Sequence, residues 1–234
     1  MKSLSIVIPA YNEANRIGNL LQSIFVIFPA AEVIVVDDGS TDGTAETVRE
    51  ILPRAKMLRN KTNRGKGYSV RRGILEAGGD YVCFTDADGA VPVTELCALL
   101  RHLAAGCDVA IGSRRTPGAR VKMPLHRRVT EVVFNRLVKW ATGLPYRDTQ
   151  CGFKAFTRAA AREIFSRLQD TGFGFDVEAL ILARALGYAV AEVPVTWRHV
   201  PGSKVRLFRD GWKMLKFVWS LRERKTVPVP GVTQ

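Results

Sequence analysis

The sequence predicts an α/β fold built around a mainly parallel sheet. Short apolar segments rich in β-branched residues alternate with longer segments whose apolar residues recur at helical spacing. Acid-bearing polar segments follow several of the strands at the point where each strand ends. This alternation is typical of parallel sheets covered by helices, in which ligands bind beyond the carboxyl ends of the strands.

The first half of the chain carries the clearest alternation. Helix ends are marked by Pro53 after the second helix, by a Gly-Gly pair after the third, and by Pro92 and Gly106 around the fourth. The predicted strands are residues 4–10, 32–38, 55–60, 80–86 and 107–113, and the predicted helices are residues 14–28, 41–52, 65–77 and 92–106.

Beyond residue 113 the alternation is looser. Helices are predicted near residues 129–142, 158–168 and 175–187, and a strand at residues 189–197. Because no Gly-, Ser- or Pro-rich linker divides the chain, we predict one domain over residues 1–202, whose more regular half is residues 1–113 and whose looser half is residues 114–202.

The last part of the chain has a different pattern. Residues 203–225 predict an amphipathic helix with apolar stripes beside a basic stripe, which suits a membrane interface. A helix packed on its own domain remains the alternative. Residues 226–234 are predicted to be disordered.

Charge indicates an anionic partner. The 234 residues include 35 Lys and Arg against 22 Asp and Glu, a formal net charge of +13. Residues 114–128 alone hold six Lys or Arg and no acid. The candidates are a phosphorylated substrate, an anionic membrane surface and a nucleic acid. We expect no nucleic acid, because no motif of the known nucleic-acid-binding modules is found.

The four cysteines form no CxxC pair, and their spacing from the three histidines is not that of a zinc site. Free thiols in a reducing compartment fit best. We expect neither a signal peptide nor a spanning helix, since the polar residues of segment 20–36 interrupt its apolar run.

Two carboxylates close the predicted strand at residues 80–86. In the segment DADGA, Asp86 and Asp88 flank Ala87, and two like charges this close repel unless a cation lies between them. Hard carboxylate oxygens suit Mg²⁺ or Mn²⁺. An Asp-rich turn with Gly89 as the turn residue is the alternative. PAYNE and DDGSTDGT end two other strands at the same predicted sheet edge, which favours a shared site.

Several motifs in one order resemble the family 2 glycosyltransferases of the GT-A (Rossmann-like) fold. They are IVIPAYNE, VIVVDDGSTDGT, NRGKGYSV, DADGA, AIGSRR, RDTQCGFKAF, FDVE and EVPVTW followed by GSKV. Within that family the chain resembles the dolichyl-phosphate β-glucosyltransferases, with the dolichyl-phosphate mannose synthases as cousins. The resemblance extends from residue 5 to about residue 217.

The resemblance implies an inverting, metal-dependent hexosyltransferase that moves glucose from UDP-glucose to a polyprenyl (dolichyl) phosphate at the membrane surface. Another nucleotide sugar such as GDP-mannose, or a soluble acceptor, is the alternative. A more distant alternative is a basic nucleic-acid-binding protein.

The resemblance also implies that residues 1–113 form the nucleotide-sugar-binding half of the domain and residues 114–202 its acceptor-side half. It further implies donor-site residues. Asp86, Ala87 and Asp88 would contact the donor diphosphate, with Asp86 and Asp88 holding Mg²⁺ or Mn²⁺. Lys66, between two glycines at a helix start, would contact the nucleotide; a solvated helix-start lysine is the alternative. The nucleotide pocket would be formed by Pro9, Tyr11, Glu13, Asp37 and Asp38.

Cations mark the expected acceptor site. Arg114 and Arg127 resemble phosphate-binding positions of the mannose synthases and are expected to be catalytic, and Arg198 and Lys204 form a second cationic pair. The segment RDTQCGFK is expected to line the acceptor side through Asp148, Gln150 and Phe153. Asp176 of FDVE keeps an open role, with a helix N-cap as the alternative.

The chain departs from its relatives in one respect. The eukaryotic glucosyltransferases of this type carry an N-terminal membrane helix, and other relatives carry spanning helices after the catalytic domain. We find neither pattern in this sequence and expect a peripheral protein on the cytoplasmic face of the membrane, attached through residues 203–225.

Overall fold

A computed structural model of the chain describes residues 2–200, apart from the side chains of residues 125–130. The strands of this part are β1 (Leu4–Ala10), β2 (Glu32–Asp37), β3 (Lys56–Arg59), β4 (Tyr81–Thr85), β5 (Val109–Ser113), β6 (Arg120–Lys122), β7 (Phe153–Thr157), β8 (Val190–Pro194) and β9 (Thr196–Arg198). The α-helices are α1 (Ala14–Ile27), α2 (Thr44–Ile51), α3 (Lys66–Leu75), α4 (Leu96–Ala104), α5 (Leu125–Thr142), α6 (Arg158–Arg167) and α7 (Phe175–Ala185).

A seven-stranded sheet in the order β3-β2-β1-β4-β7-β5-β8 forms the centre of the fold. Strand β7 runs antiparallel to both of its neighbours, β4 and β5, and the other pairings in the sheet are parallel. The carboxyl ends of β1, β2, β4 and β5 therefore meet at one edge. Strands β6 and β9 form a separate parallel pair. The predicted α/β class with a mainly parallel sheet is confirmed.

Helices cover both faces of the sheet because buried strands present apolar side chains to each side in turn. In β1, Ile6 and Ile8 pack into one core cluster and Val7 into the other. Helices α1, α2 and α4 supply apolar residues to the first cluster. Helices α3, α5, α6 and α7 supply the second.

The second half differs from the sequence prediction in its strands, and the short strand β6 has no counterpart among the predicted ones. Strand β7 is not predicted, because its lysine and its preceding glycine interrupt the apolar pattern that marks strands. The predicted strand over residues 189–197 is two strands, β8 and β9, and these join different sheets. The predicted helix over residues 203–225 and the predicted disorder of residues 226–234 lie outside the described residues.

Within the described part of the chain, every helix falls short of the length and apolar character that crossing a bilayer requires.

Candidate active site

The acids of DADGA lie in a turn directly after β4. Gly89 has φ +64, and the Asp88 Oδ1 atom accepts a hydrogen bond from the Ala90 N–H at 3.0 Å. Burial, together with the neighbouring charge of Asp86, raises the pKa of Asp88. The turn interpretation is therefore correct as local geometry, and the geometry also holds two repelling carboxylates at the sheet edge.

Lys66 forms an ion pair with the first acid of this pair, Asp86. Its Nζ atom lies 2.5 Å from the Asp86 Oδ1 atom, and its side chain is one-fifth exposed. Burial by itself lowers the pKa of Lys66, but the charges of Asp86 and Asp176 outweigh burial and raise it. Lys66 is thus not the solvated helix-start lysine of the alternative interpretation.

Close backbone packing fixes the segment that carries Lys66. A Cβ atom at Gly65 would lie 2.2 Å from the Thr171 carbonyl oxygen, and one at Gly67 would lie 2.4 Å from the Asp170 carbonyl oxygen. The Gly67 N–H also donates to the Gly172 carbonyl oxygen at 3.0 Å. In the structure these two glycines allow the loop before α7 to approach closely. The sequence had suggested that they allow close approach of the nucleotide.

Asp38 holds the same segment from the other side. Its Oδ1 atom accepts hydrogen bonds from Asn60 Nδ2 at 2.6 Å and from the Arg64 N–H at 2.9 Å. Its Oδ2 atom accepts from the Gly65 N–H at 2.8 Å. Asp38 is buried, so in the structure it organises the loop that carries Lys66.

Asp37, like Asp38, is buried and hydrogen-bonded to neighbouring loop residues. It is fully buried, its Oδ1 atom accepts from the Ser40 N–H at 2.9 Å, and its Oδ2 atom lies 3.2 Å from Arg59 Nε. A cavity of about 380 Å³ opens beside these groups. It is lined by Gly39, Ser40, Thr41, Arg59, Asn60 and Lys61, at the carboxyl ends of β2 and β3.

The PAYNE loop after β1 is tied to this cavity. The Asn12 N–H donates to Ser40 Oγ at 2.8 Å, and Asn12 itself has a left-handed φ of 52. The Glu13 N–H donates to Thr44 Oγ1 at 2.8 Å. Tyr11 is exposed and Pro9 is half-buried within β1. The predicted pocket residues of β1 and β2 are therefore neighbours in space, and their contact with a nucleotide stays a prediction.

A buried ion pair lies behind Asp86 that sequence analysis missed. Lys154 of β7 is fully buried, donates to the Cys151 carbonyl oxygen at 2.7 Å and is hydrogen-bonded to the Asp176 carboxylate. Gly152 packs against Asp86 so closely that a Cβ atom there would lie 2.2 Å from Asp86 Oδ2. A lysine in the middle of the apolar segment GFKAF was the available signal for this pair.

The N-cap interpretation of Asp176 is wrong. Helix α7 begins at Phe175 with Gly174 as its N-cap, so Asp176 lies inside the first turn, where its carboxylate meets Lys154. Burial raises the pKa of Asp176.

Arg114 follows β5 and pairs with Asp148. Its Nε and Nη2 atoms donate to the two Asp148 oxygens at 2.7 and 3.0 Å, and its Nη1 atom donates to Glu131 at 3.1 Å. Asp148 is fully buried. Its carboxylate therefore orients Arg114 and cannot contact an acceptor directly. Phe153 is fully buried in the core, which corrects its expected place on the acceptor side.

The other expected acceptor residues are described in part. Gln150 is half-buried next to Asp148, and its N–H donates to the Asp148 carboxylate at 3.2 Å. Arg198 is exposed on β9, and its N–H donates to the Ala90 carbonyl oxygen at 2.9 Å, which places it beside the DADGA turn. The Arg127 side chain and Lys204 lie outside what the structure describes.

Among the described residues, no three His, Cys, Asp or Glu side chains gather as a complete metal site. Asp86 and Asp88 nevertheless fit a divalent ion that takes its remaining ligands from a bound diphosphate and water, because both supply hard oxygens and their mutual repulsion favours a cation.

Comparison with known proteins identifies relatives along most of the chain. The model of the family "Glycosyl transferase family 2" matches residues 5–165. The dolichyl-phosphate beta-glucosyltransferase of Dictyostelium discoideum is 35% identical over 94% of this chain and 74% of its own. That of Saccharomyces cerevisiae is 36% identical over 91% of this chain and 72% of its own.

Solved structures share the fold. The glucosyl-3-phosphoglycerate synthase of Mycobacterium tuberculosis, in complex with Mn²⁺, UDP-glucose and phosphoglyceric acid, is 25% identical with a TM-score of 0.74. The match covers 100% of this chain and 83% of that one.

Proposed function

The chain belongs to glycosyltransferase family 2, and from this membership we propose that it transfers glucose from UDP-glucose to dolichyl phosphate or a similar polyprenyl phosphate. One observation carries the proposal: the Asp86–Asp88 turn lies at the sheet edge between an acid-paired lysine, Lys66, and an exposed arginine, Arg198. The relatives named dolichyl-phosphate beta-glucosyltransferase support the choice of donor and acceptor.

The donor is proposed to bind across the ends of β1, β2 and β4. The nucleoside would occupy the cavity beside Ser40 and Asn60, near Tyr11 and Glu13. The diphosphate would then extend toward Asp86 and Asp88. Side-chain amides, hydroxyls and carboxylates there can meet the hydrogen-bonding groups of a base and a ribose.

A divalent ion, Mg²⁺ or Mn²⁺, would be held by Asp86 and Asp88 together with the diphosphate. Such an ion supplies charge neutralisation of the leaving diphosphate. The chain itself holds the two carboxylates in place, through the Ala90 N–H at Asp88 and the close contact of Gly152 with Asp86. The Mn²⁺ in the complex of the solved neighbour supports a divalent metal as cofactor.

The acceptor phosphate is proposed to bind to Arg114, Arg127, Arg198 and Lys204. Of these, Arg198 is anchored beside the DADGA turn by its own backbone. Arg114 is held in one orientation by Asp148 and Glu131. A phosphate monoester is largely dianionic at pH 7 and can attack without losing a proton to the protein.

The membrane surface is proposed as the place of reaction, because a polyprenyl chain resides in the bilayer. The exposed cations Arg120 and Lys122 of the basic segment 114–128 would face anionic headgroups. Residues 203–225 would add apolar contact. We propose the cytoplasmic face as the location.

Thermal shift with a panel of nucleotide sugars tests the donor. UDP-glucose with Mn²⁺ should raise the unfolding temperature more than GDP-mannose with Mn²⁺, since ligands that bind the folded state stabilise it by mass action. Transfer of labelled glucose to dolichyl phosphate, and not to 3-phosphoglycerate, tests the acceptor. Stabilisation by GDP-mannose alone, or transfer to the soluble acceptor alone, would overturn the proposal.

A further inference from the structure

The Lys66 ammonium group is ion-paired with Asp86, one of the two acids proposed to hold the metal. Its Nζ atom lies 2.5 Å from Asp86 Oδ1, and the charges of both Asp86 and Asp88 act on it. The ion pair is with Asp86, and Asp88 lies within the electrostatic reach of the same ammonium group. In this arrangement the lysine does the electrostatic work that the proposed metal ion would do.

The backbone around Lys66 is held in place, so only the lysine side chain can move. Gly65 is held by Asp38, and Gly67 and Tyr68 donate to the carbonyl oxygens of Gly172 and Thr171. The close approach of this loop to Gly65 and Gly67 prevents the helix start from shifting toward it. The ammonium group can leave Asp86 only by rotation about the four carbon–carbon bonds of the lysine side chain.

If Lys66 left Asp86, the neighbouring acid Asp176 could not readily take it, because Asp176 is already paired. Asp176 contributes to the field at Lys66, but its carboxylate is bonded to the buried Lys154. A bound diphosphate would offer a displaced ammonium group a new partner, because its several anionic oxygens match the three donors of a lysine.

We propose that Lys66 is a placeholder cation: it holds Asp86 until the metal arrives, and then transfers its ammonium group to the donor diphosphate. The inference rests on the proposed function, because it takes the metal and the nucleotide sugar as the ligands of this site. A divalent ion at Asp86 and an ammonium group at the same oxygen repel one another, so metal binding requires the lysine to leave.

A coupling between metal and nucleotide follows. The metal alone must displace Lys66 without giving it a new partner, so it binds weakly. The diphosphate supplies that partner, so each ligand strengthens the binding of the other by the same factor. If Lys66 only contacted the diphosphate, replacing it would not change the affinity of the protein for the metal in the absence of nucleotide.

The test measures Mn²⁺ affinity by electron paramagnetic resonance, with and without UDP. In the Lys66→Met variant, Mn²⁺ alone should bind on the order of tenfold more tightly than in the wild type, because a competing positive charge is removed. The gain in Mn²⁺ affinity on adding UDP should shrink by a similar factor.

Matched variants separate contact from total charge. Lys66→Arg keeps a competing cation, so its affinity for Mn²⁺ alone should stay near that of the wild type. Lys56→Met removes the same charge from an exposed pair with Glu76 at the amino end of β3, away from the site, and should also leave that affinity unchanged. Lys66→Gln serves as a second neutral variant, and thermal unfolding establishes that each variant is folded.

The possible results are distinct. Unchanged binding of Mn²⁺ alone by both neutral variants, with weaker UDP binding, would overturn the placeholder role and leave the proposed function intact. Weaker binding of Mn²⁺ alone would likewise overturn it, since Lys66 would then support the metal site. A wild-type protein that binds no Mn²⁺ even with UDP would overturn the proposed function and this inference with it.

Discussion

Arg114 and Asp148 form a buried two-point ion pair, with Arg114 Nε 2.7 Å from Asp148 Oδ2 and Arg114 Nη2 3.0 Å from Asp148 Oδ1. Asp148 also accepts hydrogen bonds from the N–H groups of Arg114 and Gln150. The pair therefore fixes the end of β5 against the loop before β7, next to the expected acceptor site.

Asp148→Asn should destabilise the fold. Removing one partner of a buried ion pair leaves the other charge uncompensated, at a cost of about 3–5 kcal/mol in the free energy of unfolding. Urea denaturation measures this loss. Glu46→Gln breaks an exposed pair with Arg49 and should cost less than about 1 kcal/mol. Equal losses in the two variants would contradict the structural importance of the pair.

The same pair predicts a pH dependence. Burial by itself raises the pKa of Asp148, but the charge and hydrogen bonds of Arg114 outweigh it and hold the pKa well below its usual range. Its stabilising contribution is therefore complete above the unfolded-state pKa of about 3.9 and is lost as pH falls through the lower folded-state pKa. The stability difference between wild type and Asp148→Asn should narrow below about pH 4. A difference that is constant down to pH 2 would contradict this assignment.

Gly65→Ala should disrupt the loop that carries Lys66. The new Cβ atom would lie 2.2 Å from the Thr171 carbonyl oxygen, in addition to the strain of φ +100. Gly106→Ala is the matched control, because Gly106 has φ +105 and open space around it. Both variants should lose roughly 1–3 kcal/mol to backbone strain, and Gly65→Ala should lose more. If the two losses are equal, the packing between the two loops is looser than the structure shows.

The order of strands and helices could be predicted because it depends on local apolar periodicity. The four buried residues of α1, namely Ile17, Leu20, Leu21 and Ile24, recur at helical spacing, and β2 and β4 are continuous apolar runs. Strand β7 escaped prediction because Lys154 is compatible with a buried strand only through Asp176, which is 22 residues further along the chain.

The sequence predicted that the candidate site lies at a set of strand ends. It did not predict the separate roles of the residues within the site. Asp37 and Asp38 are adjacent acids that look alike in the sequence. Their separate tasks depend on Ser40 for one and on Asn60, Arg64 and Gly65 for the other. Such partners are chosen by the tertiary fold, because hydrogen bonding between distant segments leaves no periodic pattern.

Asp88→Asn should leave the protein folded and abolish Mn²⁺-dependent UDP binding. The change keeps the size of the side chain and the oxygen that accepts from the Ala90 N–H, but it removes a ligand charge. Isothermal titration with UDP, with and without Mn²⁺, measures the effect. Asp108→Asn changes an acid at the opposite edge of the sheet, before β5, and should bind normally. Metal-dependent binding that persists in Asp88→Asn would remove this residue from the metal site.

Deleting residues 206–234 should release the protein from anionic liposomes. Basic side chains near an anionic surface contribute on the order of 1 kcal/mol each, and the apolar stripes add a part that salt does not screen. High salt should therefore weaken attachment of the whole chain without abolishing it. Flotation measures attachment, and UDP binding by the shortened chain shows that its domain is intact. Unfolding of the shortened chain would instead favour a helix packed on the domain.

A phosphate acceptor and an alcohol acceptor differ in whether the enzyme must remove a proton. An alcohol acceptor needs a base, since a hydroxyl group is a poor nucleophile at neutral pH. A phosphate acceptor, with a second pKa of about 6, is already largely a dianion at pH 7. The second case suits Asp176, whose carboxylate is buried and bonded to Lys154 and is therefore not presented to an acceptor hydroxyl group.

Free dolichol should therefore not be glycosylated, whereas dolichyl phosphate should. Arg127→Ala and Lys204→Ala should raise the KM for dolichyl phosphate far more than Arg136→Ala, which removes an exposed arginine further along α5. An efficient reaction with the alcohol would require a base that the phosphate mechanism omits. An Asp176→Asn variant that stays folded, binds both substrates and does not turn over would identify that base.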